Sequence, residues 1–208
     1  MVIKNCPDKL QYKKINKKIN KTIHWVRHGE TLSNISELNY QIIDPELTLK
    51  GRSQCDKLFD QLNQIDKNLP IDLIVVSPLF RTLQTMDLSC TNFIYKCPII
   101  SLDIIREQIN QLCHKRKDLD NIKKKFFYVN FSNIENDDIL YKKFNGMEPD
   151  SHVISRCEQF MDWIRRRKEK NIIVITHGGF LSYIFNNILY NEPNKSYFSN
   201  CELRTVKL

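Results

Sequence analysis

Two periods of apolar residues alternate along this chain. Short apolar runs of strand length appear at Ile23–Arg27 (IHWVR), Ile71–Val76 (IDLIVV), Ile172–Thr176 (IIVIT) and, in alternating form, Cys201–Lys207. Another apolar run spans Ile94–Leu102, interrupted by Pro98. The runs IDLIVV and IIVIT are continuous, as strands buried on both faces should be. Between them the spacing becomes helical. Asp44-Pro45 marks a turn, and Thr48 caps a helix through about Gln64 carrying Leu49, Leu58 and Leu62. Ser77-Pro78 opens the next helix, with proline near its first turn. Asp150 or Ser151 caps an amphipathic helix with Val153, Cys157, Phe160, Met161 and Ile164 on one face and basic residues at its end. Gly178-Gly179 begins a last helix, running from Phe180 to about Leu189. Strands alternating with helices predict a single-domain three-layer α/β/α sandwich with a mostly parallel sheet.

Two stretches depart from this pattern. Residues 103–148 are rich in Lys, Asn and Asp with weak periodicity, and read as an insertion between core elements. Residues 1–21 form a lysine-rich tail of seven lysines against one aspartate, expected to be flexible and solvated. Most of the net charge of +8 lies in that tail, so nucleic acid is not the expected partner. The 208 residues, 41% hydrophobic, suffice for one domain with a substantial core, here residues 22–208. No apolar run approaches the roughly 20 residues of a membrane span, and the N-terminus lacks the apolar stretch of a secretory signal. A cytoplasmic protein is expected. The seven cysteines form no CxxC pair, which argues against a disulfide scaffold or a structural zinc site.

The candidate chemistry lies just past the strands. Arg27-His28-Gly29-Glu30-Thr31 follows the first run, Ser77-Pro78 with Arg81 the second, and Thr176-His177-Gly178-Gly179 the IIVIT run. Ligands of open α/β sheets bind beyond the carboxyl ends of the strands. Two arginines there suit phosphate oxygens, helix N-termini near Ser77 and Gly178 favour an anion, and a neutral imidazole is a capable nucleophile. No Walker loop, HExxH or carboxylate-rich metal cluster competes, so no metal is expected.

These segments resemble those of the histidine phosphatase superfamily, also called phosphoglycerate-mutase-like. RHGET with Asn34 is similar to its first signature. Asp44-Pro45-Glu46-Leu47-Thr48 with Gly51 and Gln54 resembles its turn and helix, and Ser77-Pro78 with Arg81, Thr82 and Thr85 its third signature. Thr176-His177-Gly178-Gly179 resembles its second histidine motif. The resemblance runs from about Thr22 to Leu208 and implies that fold. It also implies His28 as the nucleophile that becomes phosphohistidine, and a phosphate pocket of Arg27, Arg81 and His177 assisted by Asn34 and the Gly178 backbone. Glu107, after the third strand, is the implied proton donor and must hold a proton near neutral pH to act. Arg106-Glu107-Gln108, Cys113 to Lys117 and Phe131-Ser132-Asn133-Ile134-Glu135 resemble a eukaryotic mutase-like phosphatase branch. Lys115 and Arg116 are candidates for a second anionic group of the substrate.

The implied function is metal-independent hydrolysis of small phosphorylated metabolites, without a cofactor. The alternative is a phosphoglycerate mutase, which would need 2,3-bisphosphoglycerate as primer. A mutase must exclude water under a lid. The chain ends soon after its last strand and has Gln108-Ile109-Asn110 where those mutases carry an aromatic-Gly segment, which favours hydrolysis. An inactive binding protein on the same fold is a third reading. A monomer or homodimer is expected. His24 reads as a sheet residue, Trp25 and Trp163 as core aromatics, and His114 and His152 as surface residues.

Overall fold

The computed structural model describes residues 20–189 and 196–208, so most of the lysine-rich tail lies outside the described residues. Five strands form one sheet: β1 (Thr22–Arg27), β2 (Leu73–Val76), β3 (Ile99–Ser101), β4 (Asn171–Thr176) and β5 (Leu203–Lys207). Their order is β3-β2-β4-β1-β5, parallel except for β5, which pairs antiparallel with β1. The expected mostly parallel α/β fold is present, in three layers.

Residue alternation along the strands assigns the layers. After the single-turn helix α1 (Leu32–Ile35), the longer helices cover the sheet: Ile74, Val76, Ile173 and Ile175 face α2 (Leu49–Asn68), α3 (Phe80–Ser89) and α4 (Leu119–Lys125). Leu73, Val75, Ile172 and Val174 face α6 (Asp150–Arg166) and α7 (Gly178–Asn187). The central strands are therefore buried on both faces, which is why their sequences read as unbroken apolar runs. The predicted face of α6 is buried throughout. Trp25 is fully buried against Phe160 and Phe185, and Trp163 stacks on Phe160 at 6.0 Å.

Several boundaries differ from expectation. β3 begins after Pro98 and is only three residues long. α2 extends to Asn68, with the Thr48 hydroxyl accepting from the Gly51 N–H as predicted. α6 starts with Asp150 already in its first turn, behind Pro149. α3 starts at Phe80 rather than at Ser77-Pro78. Its cap comes from far away in sequence: both carboxylate oxygens of Asp44 accept from the Phe80 N–H, at 2.9 and 2.8 Å. A non-local cap leaves no local signature. Lys21, placed in the flexible tail by its sequence, is buried and anchored. Its Nζ donates to the Arg167 and Glu169 carbonyls at 2.5 Å, and its backbone pairs with Leu208.

The segment 103–148 is ordered, though not by periodic apolar packing alone. It contains α4, α5 (Ile139–Phe144) and single 3-10 turns at Asp103–Ile105 and Leu112–His114. Buried arginines pin it to the body. Arg106 donates to Asp138 at 2.5 and 3.1 Å and to the His114 carbonyl. Arg156 of α6 pairs with Glu148 at 2.8 and 2.9 Å and holds the Ile104 and Arg106 carbonyls.

Candidate active site

Strand register brings the two motif histidines together. Arg27 of β1 pairs with Thr176 of β4, so His28 and His177 are the next residues on adjacent parallel strands. Their rings stand 5.2 Å apart, edge to face at 61°. β2 adds Ser77, the residue after Val76, whose Oγ lies 2.8 Å from His177 Nε2. Thus three strand ends meet at one point, as crossover connections in a parallel sheet allow.

His28 is held in one tautomer. Its Nδ1 lies 2.7 Å from the Gly29 carbonyl, which can only accept, so Nδ1 carries the hydrogen and Nε2 the lone pair. Nε2 faces outward against Arg81 Nε at 3.3 Å. Burial first, then the Arg81 and Arg27 charges, pushes the His28 pKa well below the ordinary histidine value, so the ring is neutral. His177 is likewise held neutral by burial and by Arg81.

The loop after β1 is fixed by motif residues. The Gly29 N–H donates to Thr85 Oγ1 at 2.9 Å, and the Glu30 N–H to Gln54 Oε1 at 2.9 Å. Gly51 lets α2 touch this loop: a Cβ there would stand 2.1 Å from the Glu30 carbonyl oxygen. Glu30 itself turns from the site, receiving Thr48 Oγ1 and pairing with Lys50 at 2.7 Å.

Arg81 is buried and doubly braced, donating to the Cys113 carbonyl at 3.0 Å and lying 3.4 Å from Asp44. Arg27 donates to the Phe198 carbonyl at 2.6 Å. Arg27 Nε and His177 Nδ1 are buried without a hydrogen-bond partner. Asn34 Oδ1 accepts from the Thr31 N–H and hydroxyl and from Asn200 Nδ2, which leaves the Asn34 NH2 free to donate.

The helix N-termini behave differently from the sequence expectation. Carboxylates already occupy them: Asp44 on α3, and Glu107 on α7. Glu107 Oε2 accepts from Gly179 N–H and Oε1 from Phe180 N–H, both at 3.1 Å, and Oε1 also accepts from Gln108 N–H. The Gly178 N–H has no acceptor among the described residues.

A cavity of about 270 Å³ opens over this group, lined by Arg27, His28, Asn34, Arg81, Glu107 and Gly179. That is below the size of a drug-like ligand site and fits a small metabolite. Its outer wall holds residues that sequence reasoning missed, namely Ser33, Tyr40, Gln108, Asn110, Gln111, Cys113 and His114. His114, expected at the surface, lines the cavity, and burial with the Arg81 and Arg106 charges lowers its pKa to about 3. The absence of apolar spacing in 103–148 concealed most of this wall, and Ser33 and Tyr40 come from the segment after β1. Lys115 and Arg116 do not line the cavity. Lys115 is exposed over the Tyr141 ring, and Arg116 is buried, its guanidinium donating to the Glu135, Asn136 and Asp137 carbonyls. His24 is a sheet residue, as expected, bridging Thr205 and Asn171.

The sequence profile of the histidine phosphatase superfamily (branch 1) matches residues 23–208. The chain belongs to the histidine phosphatase superfamily. Among its relatives in the superfamily, phosphoglycerate mutase-like protein 1 of Arabidopsis thaliana is 30% identical, over 89% of this chain and 80% of that protein. Two solved superfamily-like folds illustrate the structural likeness, each covering 89% of both chains at 20% identity. One is a putative α-ribazole-5′-P phosphatase from Escherichia coli, with a TM-score of 0.61. The other is a phosphoserine phosphatase mutant from Entamoeba histolytica in complex with phosphoserine, with a TM-score of 0.54. At that identity the likeness concerns the fold, and superfamily membership makes this a phosphatase- or mutase-type chain.

Proposed function

We propose that this chain is a metal-independent phosphomonoesterase acting on small phosphorylated metabolites through a phosphohistidine on His28. The observation that carries the proposal is the His28 ring. Its Nδ1 is committed to the Gly29 carbonyl, and its Nε2 lone pair faces the Arg81 guanidinium at the floor of the cavity.

The chemistry follows from that geometry. A phosphate dianion docks against Arg81 and Arg27, and takes donors from His177, the Asn34 NH2 and the Gly178 N–H. Preplaced cations and donors stabilise the charge that spreads over the equatorial oxygens during transfer. His28 Nε2 forms the N–P bond as the P–O ester bond breaks. The leaving oxygen takes a proton from the Glu107 carboxyl, which borders the same cavity. Three accepted N–H bonds fix the Glu107 carboxyl at the edge of this cavity. In the second half, Glu107 takes a proton from water, whose oxygen forms the new P–O bond while N–P breaks and phosphate departs.

The test is direct. Brief incubation with 32P-labelled phosphomonoester followed by alkaline quench should trap acid-labile, base-stable label, and His28→Ala should abolish both label and turnover. Activity should persist in chelator. Absence of label during active turnover sinks the proposal. Rapid 2-phosphoglycerate formation from 3-phosphoglycerate and its bisphosphate primer, with little free phosphate, would assign the chain to mutases instead.

A further inference from the structure

The outer wall of the cavity carries information that the catalytic floor does not. Among the described residues lining the cavity, the cations are Arg27 and Arg81, and both sit at the histidine end. Beyond them the wall presents Tyr40, Asn110, Gln111 and His114. The side chains of Tyr40, Asn110 and Gln111 make no hydrogen bond among the described residues, so their polar groups are free for a ligand. His114 adds an imidazole held neutral by the nearby guanidinium groups and by burial. The lysine and arginine that follow it point elsewhere, Lys115 to the Tyr141 ring and Arg116 into the backbone of 135–137. The cavity's carboxylate, Glu107, is held on the N-terminus of α7.

We propose that this wall selects phosphomonoesters whose alcohol portion is uncharged and rich in hydroxyl groups, and rejects those bearing a second anionic group. The inference rests on the phosphatase reading above and names its substrate class. Amides and a phenol each offer a donor and an acceptor, and a substrate hydroxyl uses both. A substrate carboxylate or second phosphate uses only donors. It leaves the amide oxygens unmatched and meets no counter-charge at this wall. A site built to hydrogen-bond hydroxyls discriminates strongly against analogues that leave its polar groups unpaired.

A matched pair of substrates isolates the effect. Glycerol 3-phosphate and 3-phosphoglycerate differ only in a terminal CH2OH against a carboxylate, at the carbon farthest from the phosphate. Purified full-length protein should show kcat/KM at least about tenfold higher for glycerol 3-phosphate. Gln111→Arg should shrink that ratio several-fold by raising turnover of 3-phosphoglycerate. Gln111→Ala should raise KM for glycerol 3-phosphate several-fold. Equal or reversed preference, with p-nitrophenyl phosphate still hydrolysed, overturns the selectivity while the phosphatase reading stands. If no phosphomonoester is turned over and His28 takes no label, the phosphatase reading fails, and the selectivity built on it fails too.

Discussion

Gly179 is small because a carboxylate stands where its side chain would be. A Cβ there would lie 2.2 Å from Glu107 Oε1, far inside contact distance. Glu107 in turn takes its position from the N–H groups of Gly179 and Phe180, so the proposed acid and the start of α7 define one another. Adding one methyl group therefore tests the acid without removing it. Gly179→Ala should lower kcat on alkyl phosphates toward the level of Glu107→Gln, a loss of about 10²–10⁴-fold for a missing general acid. Both variants should keep much more of their activity on p-nitrophenyl phosphate, whose phenolate leaves without a proton. Equal losses on the two classes of ester, measured by steady-state kinetics, would remove Glu107 from the role. The residue scale is also where the sequence was most legible. RHGET, Ser77 with Arg81, and Thr176-His177-Gly178 follow strands, and the parallel register then does the rest. Asp44 was visible only as a turn former, because its work on Phe80 and Arg81 depends on residues 36 and 37 positions away.

At the scale of elements, the segment 103–148 shows what pattern reading misses. Periodicity detects apolar faces, whereas a substantial part of what anchors this stretch is buried charge. Arg106 is fully buried, and Asp138 answers it with both oxygens while also accepting from the Arg116 N–H. The Arg106 charge and hydrogen bonds hold the Asp138 carboxyl below its usual range, although burial alone would raise it. In sequence such residues have the composition of a solvated loop, and Lys115 and Arg116 stand there as candidates for a second anionic group of the substrate. Without Asp138, the carboxylate left to Arg106 is Asp103, at a longer 3.6 Å, and breaking one partner of a buried pair costs about 3–5 kcal/mol. Asp138→Ala should therefore lower unfolding free energy in urea by an amount of that order. It should also raise KM more than it lowers kcat, because the His114 carbonyl hangs from the same guanidinium as the outer wall. A change under about 1 kcal/mol would mean that Arg106 finds other partners and the pin is dispensable.

For the whole molecule, the sheet-centred architecture was readable because its central strands carry unbroken apolar runs, yet the architecture imposes a consequence no run of residues displays. It buries several imidazoles, three of them beside guanidinium groups. His24, His28 and His177 have pKa values lowered first by burial, and His114 is lowered to about 3. A histidine whose folded pKa is depressed contributes stability that is present above its unfolded value, near 6.5, and lost as pH falls toward the folded value. For His114 the cost is about 1.4 kcal/mol for each pH unit between about 6.5 and its folded value of about 3. Burial also raises the pKa of Asp44 and Asp103, whose contribution has the opposite sense and declines as pH rises. Comparing the protein with a single variant cancels those carboxyls. The urea-derived unfolding free energy should fall between pH 6.5 and 5, and His114→Asn should make that fall shallower by about 1.4 kcal/mol per pH unit. Superimposable slopes for the two proteins would show that the His114 ring titrates freely in the folded chain, and that the cavity wall is wetter and less positive than its guanidinium neighbours imply.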